Sequence, residues 1–188
     1  MAPAAHGDIR SAHSRGPNRG TPYRLVVVGT DAAEVVSAAG GLIYDAVSIG
    51  WHVDVHLDHH EDARALRIVG TRSQPLPMLA ELDSDCPDMV FLGAALLERH
   101  PPILRLATSL TRNQLSDVAV WGTDALPPQL GMSACLDYRL SNAAAVFKRQ
   151  AMAVAGRAGK DSAVETFRRG RPPMSAVPPF DSSAHSSI

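Results

Sequence analysis

Cysteine, aromatic rings, net charge and long apolar runs are all scarce in this 188-residue chain, and each scarcity excludes something. The two cysteines, Cys86 and Cys135, lie far apart and in no metal-ligand spacing. They read as two reduced thiols in or near the core, with a structural disulfide as the alternative. A formal net charge of −1 supplies no field to gather nucleic acid or anionic lipid, so neither is an expected partner. No apolar run approaches the roughly 20 residues needed to cross a bilayer. Residues 1–20 also lack the apolar stretch of a secretory signal, and a cytoplasmic protein without membrane attachment is expected. The glycine-rich phosphate loop with its lysine is absent, as are the repeated glycines of a dinucleotide fingerprint, which disfavours an NAD or ATP site.

What is present is the composition of one globular domain, 45% hydrophobic and 20% charged. Residues 1–22 are rich in Ala, Gly, Ser, Pro and Arg and carry almost no large apolar residues, so they are expected to form a disordered arm. Four arginines between Arg10 and Arg24 suggest either an anion-binding arm or a solvated tail. Residues 156–188 are punctuated by glycine and proline and end in serine; one short helix over Ala163–Arg169 is expected there, and otherwise a disordered tail. The domain proper is expected over residues 23–155.

Within it, apolar segments alternate in period. Arg24–Gly29, Asp88–Gly93 and Asp117–Gly122 are short runs ended by glycine, as expected of strands buried on both faces. Trp51–Asp58 alternates, with His52, Asp54, His56 and Asp58 on the face predicted to be wet, and Met132–Tyr138 reads as one more strand. Helical spacing follows Thr30 or Asp31 as N-cap and runs to about Ile49, with Glu34 in the first turn and the pair Gly40–Gly41 inside. Further helices are expected over Asp62–Val69, Pro101–Arg112 and Asn142–Ala155, the last capped by Ser141, with a helical turn near Met78–Leu82. Strands alternating with helices imply a single three-layer Rossmann-like α/β domain with a mainly parallel sheet. Ligands of such sheets bind beyond the carboxyl ends of the strands, which directs attention to the loops after Gly29, Asp58, Gly93 and Gly122.

The stretch Val26–Val55, with Gly40-Gly41-Leu42-Ile43 and then Gly50-Trp51-His52-Val53-Asp54-Val55, resembles the start of the LmbE-like, or PIG-L-type, zinc N-deacetylases. Pro87–Gly93, Val118–Trp121 and Asp137–Ala151 are similar, in order, to later core segments of that family. The resemblance implies a deacetylase-type fold, but its catalytic residues carry over poorly. Asp31 stands where the family has its first zinc-ligating histidine, Ala33 where it has the aspartate base, and Glu34 where it has the ligating aspartate. The later His-x-x-His reads His100-Pro101-Pro102-Ile103. A hydrolytic zinc site needs about three protein ligands, an activated water and a base in reach.

No catalytic residue is therefore assigned and enzymatic activity is left undecided, the leading reading being a catalytically degenerate relative that binds a small molecule or a protein in a regulatory or accessory role. Thr30, Asp31, Glu34 and Gly93 are its candidate ligand-binding residues, and no cofactor is expected. One alternative is a metal-dependent N-deacetylase or other hydrolase with a rearranged zinc site drawn from Asp31, Glu34, His59 and His60. Another is an unrelated Rossmann-like interaction domain. Asp31 and Glu34 have adequate structural work as a helix cap and a first-turn charge, and His100 reads as a loop residue. Ser37, Ser109 and Ser141 lack a nucleophile elbow. Trp121 reads as core, with a pocket wall as the alternative, and a homo-oligomer is compatible with the sequence.

Overall fold

The run Leu25–Val28 is fully buried because it lies at the centre of a sheet with a layer on each side. It belongs to β1 (Arg24–Asp31), where Leu25 and Val27 enter one apolar cluster and Val26 and Val28 the other. This is the period-two pleat applied to a β-branched segment. The structure is a computed structural model and describes residues 22–59, 62–76, 86–122, 126–157 and 162–170.

After β1 the chain forms α1 (Ala32–Ser48), β2 (His52–His59), α2 (Arg64–Ile68), β3 (Ser73–Pro75) and β4 (Met89–Gly93). It continues through α3 (Ala94–Arg99), α4 (Pro101–Arg112), β5 (Asp117–Trp121), β6 (Met132–Arg139), α5 (Asn142–Val154) and β7 (Val164–Gly170). The sheet order is β3-β2-β1-β4-β5-β7-β6. The first five strands in that order are parallel, while β7 is antiparallel to both β5 and β6. Helices α1, α2 and α5 supply one apolar layer, around Val35, Ile43, Leu66 and Ala151; α3 and α4 supply the other, around Leu96, Leu97, Ile103 and Leu110. The mainly parallel, three-layer α/β architecture expected from the alternating periods is therefore present.

Several local expectations are corrected. Asp54 and His56 are buried, because Arg24 from β1 lies against the one and the Pro75 carbonyl against the other, contacts that alternation alone cannot show. Asp54 accepts from Arg24 Nε–H at 3.0 Å, and His56 Nδ1 lies 3.3 Å from the Pro75 carbonyl. Gly93 opens directly into α3, with no loop between. The short helix expected over Ala163–Arg169 is instead β7, which sits between β5 and β6, so the ordered sheet runs past residue 155. Pairing on both sides overrides the weak helical preference of that segment. Cys86 packs near the core, but Cys135 is exposed on β6. The turn expected near Met78–Leu82 lies outside the described residues.

The Gly40–Gly41 pair marks a close approach. A Cβ on Gly41 would fall 1.5 Å from Leu140 Cδ2 and 3.2 Å from Glu165 Oε1. Hydrogen at that position lets the α5 entry and β7 reach the backbone of α1.

Candidate functional site

The carboxyl ends of β1, β4 and β5 converge on Glu34. Asp31 ends β1 in an extended conformation and accepts Glu34 N–H at 2.8 Å, which starts α1 and sets Glu34 in its first turn. The Glu34 side chain then folds back over the sheet end. Its Oε2 accepts Thr30 N–H at 2.7 Å and its Oε1 accepts the Trp121 indole Nε1–H at 3.0 Å. Gly93 makes room for this: a Cβ there would lie 2.6 Å from Glu34 Oε1. Thr30 Oγ1 accepts from Arg99 Nη2 at 2.7 Å. Of the four ligand-binding candidates, Glu34 borders the cleft described below, whereas Thr30, Asp31 and Gly93 hold Glu34 and α1 in place.

A second group gathers where β1 and β2 end. Asp31 is in register with His59, and His100 Nε2 lies 3.1 Å from Asp58 Oδ2. His59 Nε2 stands 3.9 Å from the same carboxylate, with its side chain 68% exposed. The fourth metal candidate, His60, lies outside the described residues. Among the described residues, no three His, Cys, Asp or Glu side chains are grouped so as to hold a metal ion. Ile103, at the second position of the His-x-x-His spacing, is buried in the α3–α4 layer.

A third group was not anticipated from sequence. Glu165 on β7 is 3% exposed, and its two oxygens accept Gly41 N–H at 2.8 Å and Leu42 N–H at 2.9 Å from the middle of α1. Lys148 Nζ on α5 donates to Glu165 Oε1 at 2.6 Å. Burial pushes the Glu165 carboxyl up from the usual range, and the Lys148 charge and the two helix N–H groups push against it. The available signal was alternation in Val164–Arg169, where Phe167 points inward and Thr166 outward; a charged residue at the inward position masked it.

The first and third groups border a cleft of about 460 Å³. Helix α1 contributes Glu34, Ser37 and Ala38, the tip of β5 contributes Trp121 and Gly122, and α5 with β7 contributes Lys148, Glu165 and Thr166. Arg157 and Ser162, from the connection between α5 and β7, complete the rim. Ligands of open α/β sheets occupy this kind of crevice, at the strand ends where the order reverses direction.

Strand order and layering define the protein as a Rossmann-like α/β domain. More particularly, it has the fold of the LmbE-like, PIG-L-type deacetylases. The zinc-inhibited form of teicoplanin deacetylase superposes with a TM-score of 0.60 at 13% identity, over 78% of this chain and 97% of that one. N,N'-diacetylchitobiose deacetylase from Pyrococcus horikoshii does so with a TM-score of 0.53 at 13% identity, over 78% and 83%. No family model matches the chain, and no curated protein matches it in sequence. Superposition at so low an identity establishes the fold alone. Among the described residues, no helix is long and apolar enough to cross a membrane.

Proposed function

We propose that this domain is a binding module on the deacetylase fold, one that takes a small molecule in the cleft beside Glu34 in a regulatory or accessory role and does not hydrolyse it. The observation that carries this reading is the commitment of Glu34. Both of its oxygens are engaged, Oε2 by Thr30 N–H and Oε1 by Trp121 Nε1–H. Turning the carboxylate toward a metal would give up these two bonds to a charged acceptor, each worth about 1.5–3 kcal/mol. Its neighbour Ala33, at the position that would bear a base, offers no proton acceptor. The chain's own residues thus fit a zinc ion poorly, so no hydrolytic step is derived through one.

A second reading, an N-deacetylase with a rearranged metal site, is favoured by the activity named for both solved neighbours. Of the expected set of Asp31, Glu34, His59 and His60, Asp31 and His59 stand at the β1 and β2 ends beside Asp58 and His100, without forming a three-ligand group among the described residues. One experiment separates the two: incubation of the full chain with excess zinc and an N-acetylated amino sugar, with released acetate measured against buffer. The binding reading expects acetate at the buffer level. Acetate release that Asp58→Asn or His100→Gln removes would establish the hydrolase instead.

A further inference from the structure

The hydrogen-bonding groups of the cleft are unbalanced. Each carboxylate oxygen on its wall already accepts at least one N–H: Glu34 Oε2 from Thr30 and Oε1 from Trp121, Glu165 Oε1 from Gly41 and Lys148 and Oε2 from Leu42. Two hydroxyls are engaged as well, since Thr166 donates to Asp137 at 2.8 Å and Ser162 to the Val164 carbonyl at 2.5 Å. The donors are another matter. Arg157 and Ser37 have no partner among the described residues, and Lys148 uses one of its three N–H bonds on Glu165. The lining carries two carboxylates and two cations, so its net charge does not repel an anion. A wall whose carboxylate oxygens each already hold an N–H, with a guanidinium left open, complements a ligand that mainly accepts, and a guanidinium fork matches the paired oxygens of an oxyanion.

We propose that the cleft binds the oxyanion group of a small molecule, a phosphate or carboxylate, through Arg157, Lys148 and Ser37. This rests on the binding reading above and adds the chemical class of the ligand. None of the three donors belongs to the residues singled out by the deacetylase resemblance as metal or base positions. Arg157 supplies the charge-assisted fork, Lys148 adds a point charge already oriented by Glu165, and Ser37 supplies a hydroxyl from the outer turn of α1.

The test is an NMR titration of the full-length chain with inorganic phosphate and, in parallel, with acetate, using chloride at matched ionic strength as the control. Saturable shifts are expected at the amides of Ser37, Ala38, Ser162 and Thr166 and at the Arg157 side-chain N–H. Arg157→Gln, at an exposed position, should weaken that binding about tenfold, as loss of one charge-assisted contact predicts. Arg105→Gln on the exposed face of α4 should leave it unchanged. Whichever anion saturates at the lower concentration distinguishes a tetrahedral from a planar oxyanion. Absence of a saturable response to both anions, or equal affinity in Arg157→Gln, would overturn the proposal. Acetate release in the hydrolysis assay would instead remove the binding reading itself, so the two failures are distinguishable.

Discussion

Replacing Gly41 by alanine tests how the second half of the chain is fastened to the first. In an ordinary exposed helix this change adds about 1 kcal/mol of helix stability. Here the new methyl would fall 1.5 Å from Leu140 Cδ2 and 2.6 Å from its Cγ, so the whole isobutyl group must leave its buried place. Overpacking of this kind costs about 3 kcal/mol, at the upper end of the usual range, because the branch atom is struck as well as the tip. A Cβ 3.2 Å from Glu165 Oε1 also crowds the carboxylate that receives Gly41 N–H and Leu42 N–H. Disturbing that contact adds roughly 1 kcal/mol. The sum is a net loss of about 3 kcal/mol, or a fall in Tm of roughly 8 °C for a domain of this size.

Thermal and urea unfolding of Gly41→Ala, Leu140→Ala and the double variant measure this directly. The double variant should be more stable than the sum of its parents by about 2 kcal/mol, since the truncated leucine vacates the volume that the methyl needs. Gly40→Ala is the control: its nearest neighbours would be Val36 Cγ1 at 3.1 Å and Lys148 Cγ at 3.6 Å, contacts that small shifts relieve. Its expected effect is within about 1 kcal/mol of zero. A Gly41→Ala protein more stable than the parent would refute the packing of Leu140 and Glu165 against α1.

Two further predictions concern the same half of the molecule. Tyr138 donates its hydroxyl to Asp45 Oδ2 at 2.9 Å, and burial, then the Asp45 charge, holds its ionisation above the ordinary value. Stability should therefore fall once the unfolded-state tyrosine ionises above about pH 10, by roughly 1.4 kcal/mol per pH unit from this group. Urea unfolding at stepped alkaline pH should show that slope in the parent and a shallower one in Tyr138→Phe. Truncation after residue 155 deletes β7, which pairs with β5 and β6 and carries the Arg169–Asp117 ion pair at 2.8 Å. That fragment should lose cooperative unfolding by circular dichroism, whereas truncation after residue 170 should retain it.

The fold was legible in the sequence where local pattern and tertiary demand agree. Leu25–Val28, Val90–Leu92 and Val118–Trp121 are central in the sheet, so two-sided burial leaves a continuous apolar run in each. Helix α1 was legible from its apolar spacing and from Asp31, whose cap forms as expected. Legibility failed where a neighbour distant in sequence decides the outcome. Asp54 and His56 look exposed until Arg24 and β3 cover them, and Val164–Gly170 looks like tail until β5 and β6 flank it. The same division holds at the cleft. Glu34 was visible as a first-turn acid, but its folding back onto Trp121, 87 positions away, was not. Glu165, Lys148 and Arg157 join the cleft because α5 and β7 pack back against α1, and no local spacing announces that.

Glu34 is held as a structural carboxylate by Thr30 and Trp121. A zinc titration that follows the Trp121 indole N–H resonance tests this most directly, since that proton reports the bond to Glu34 Oε1 at 3.0 Å. The indole signal is expected to stay in place through excess zinc. A saturating displacement of that signal at one equivalent, absent in Glu34→Gln, would show Glu34 turned onto a metal and would contradict that role.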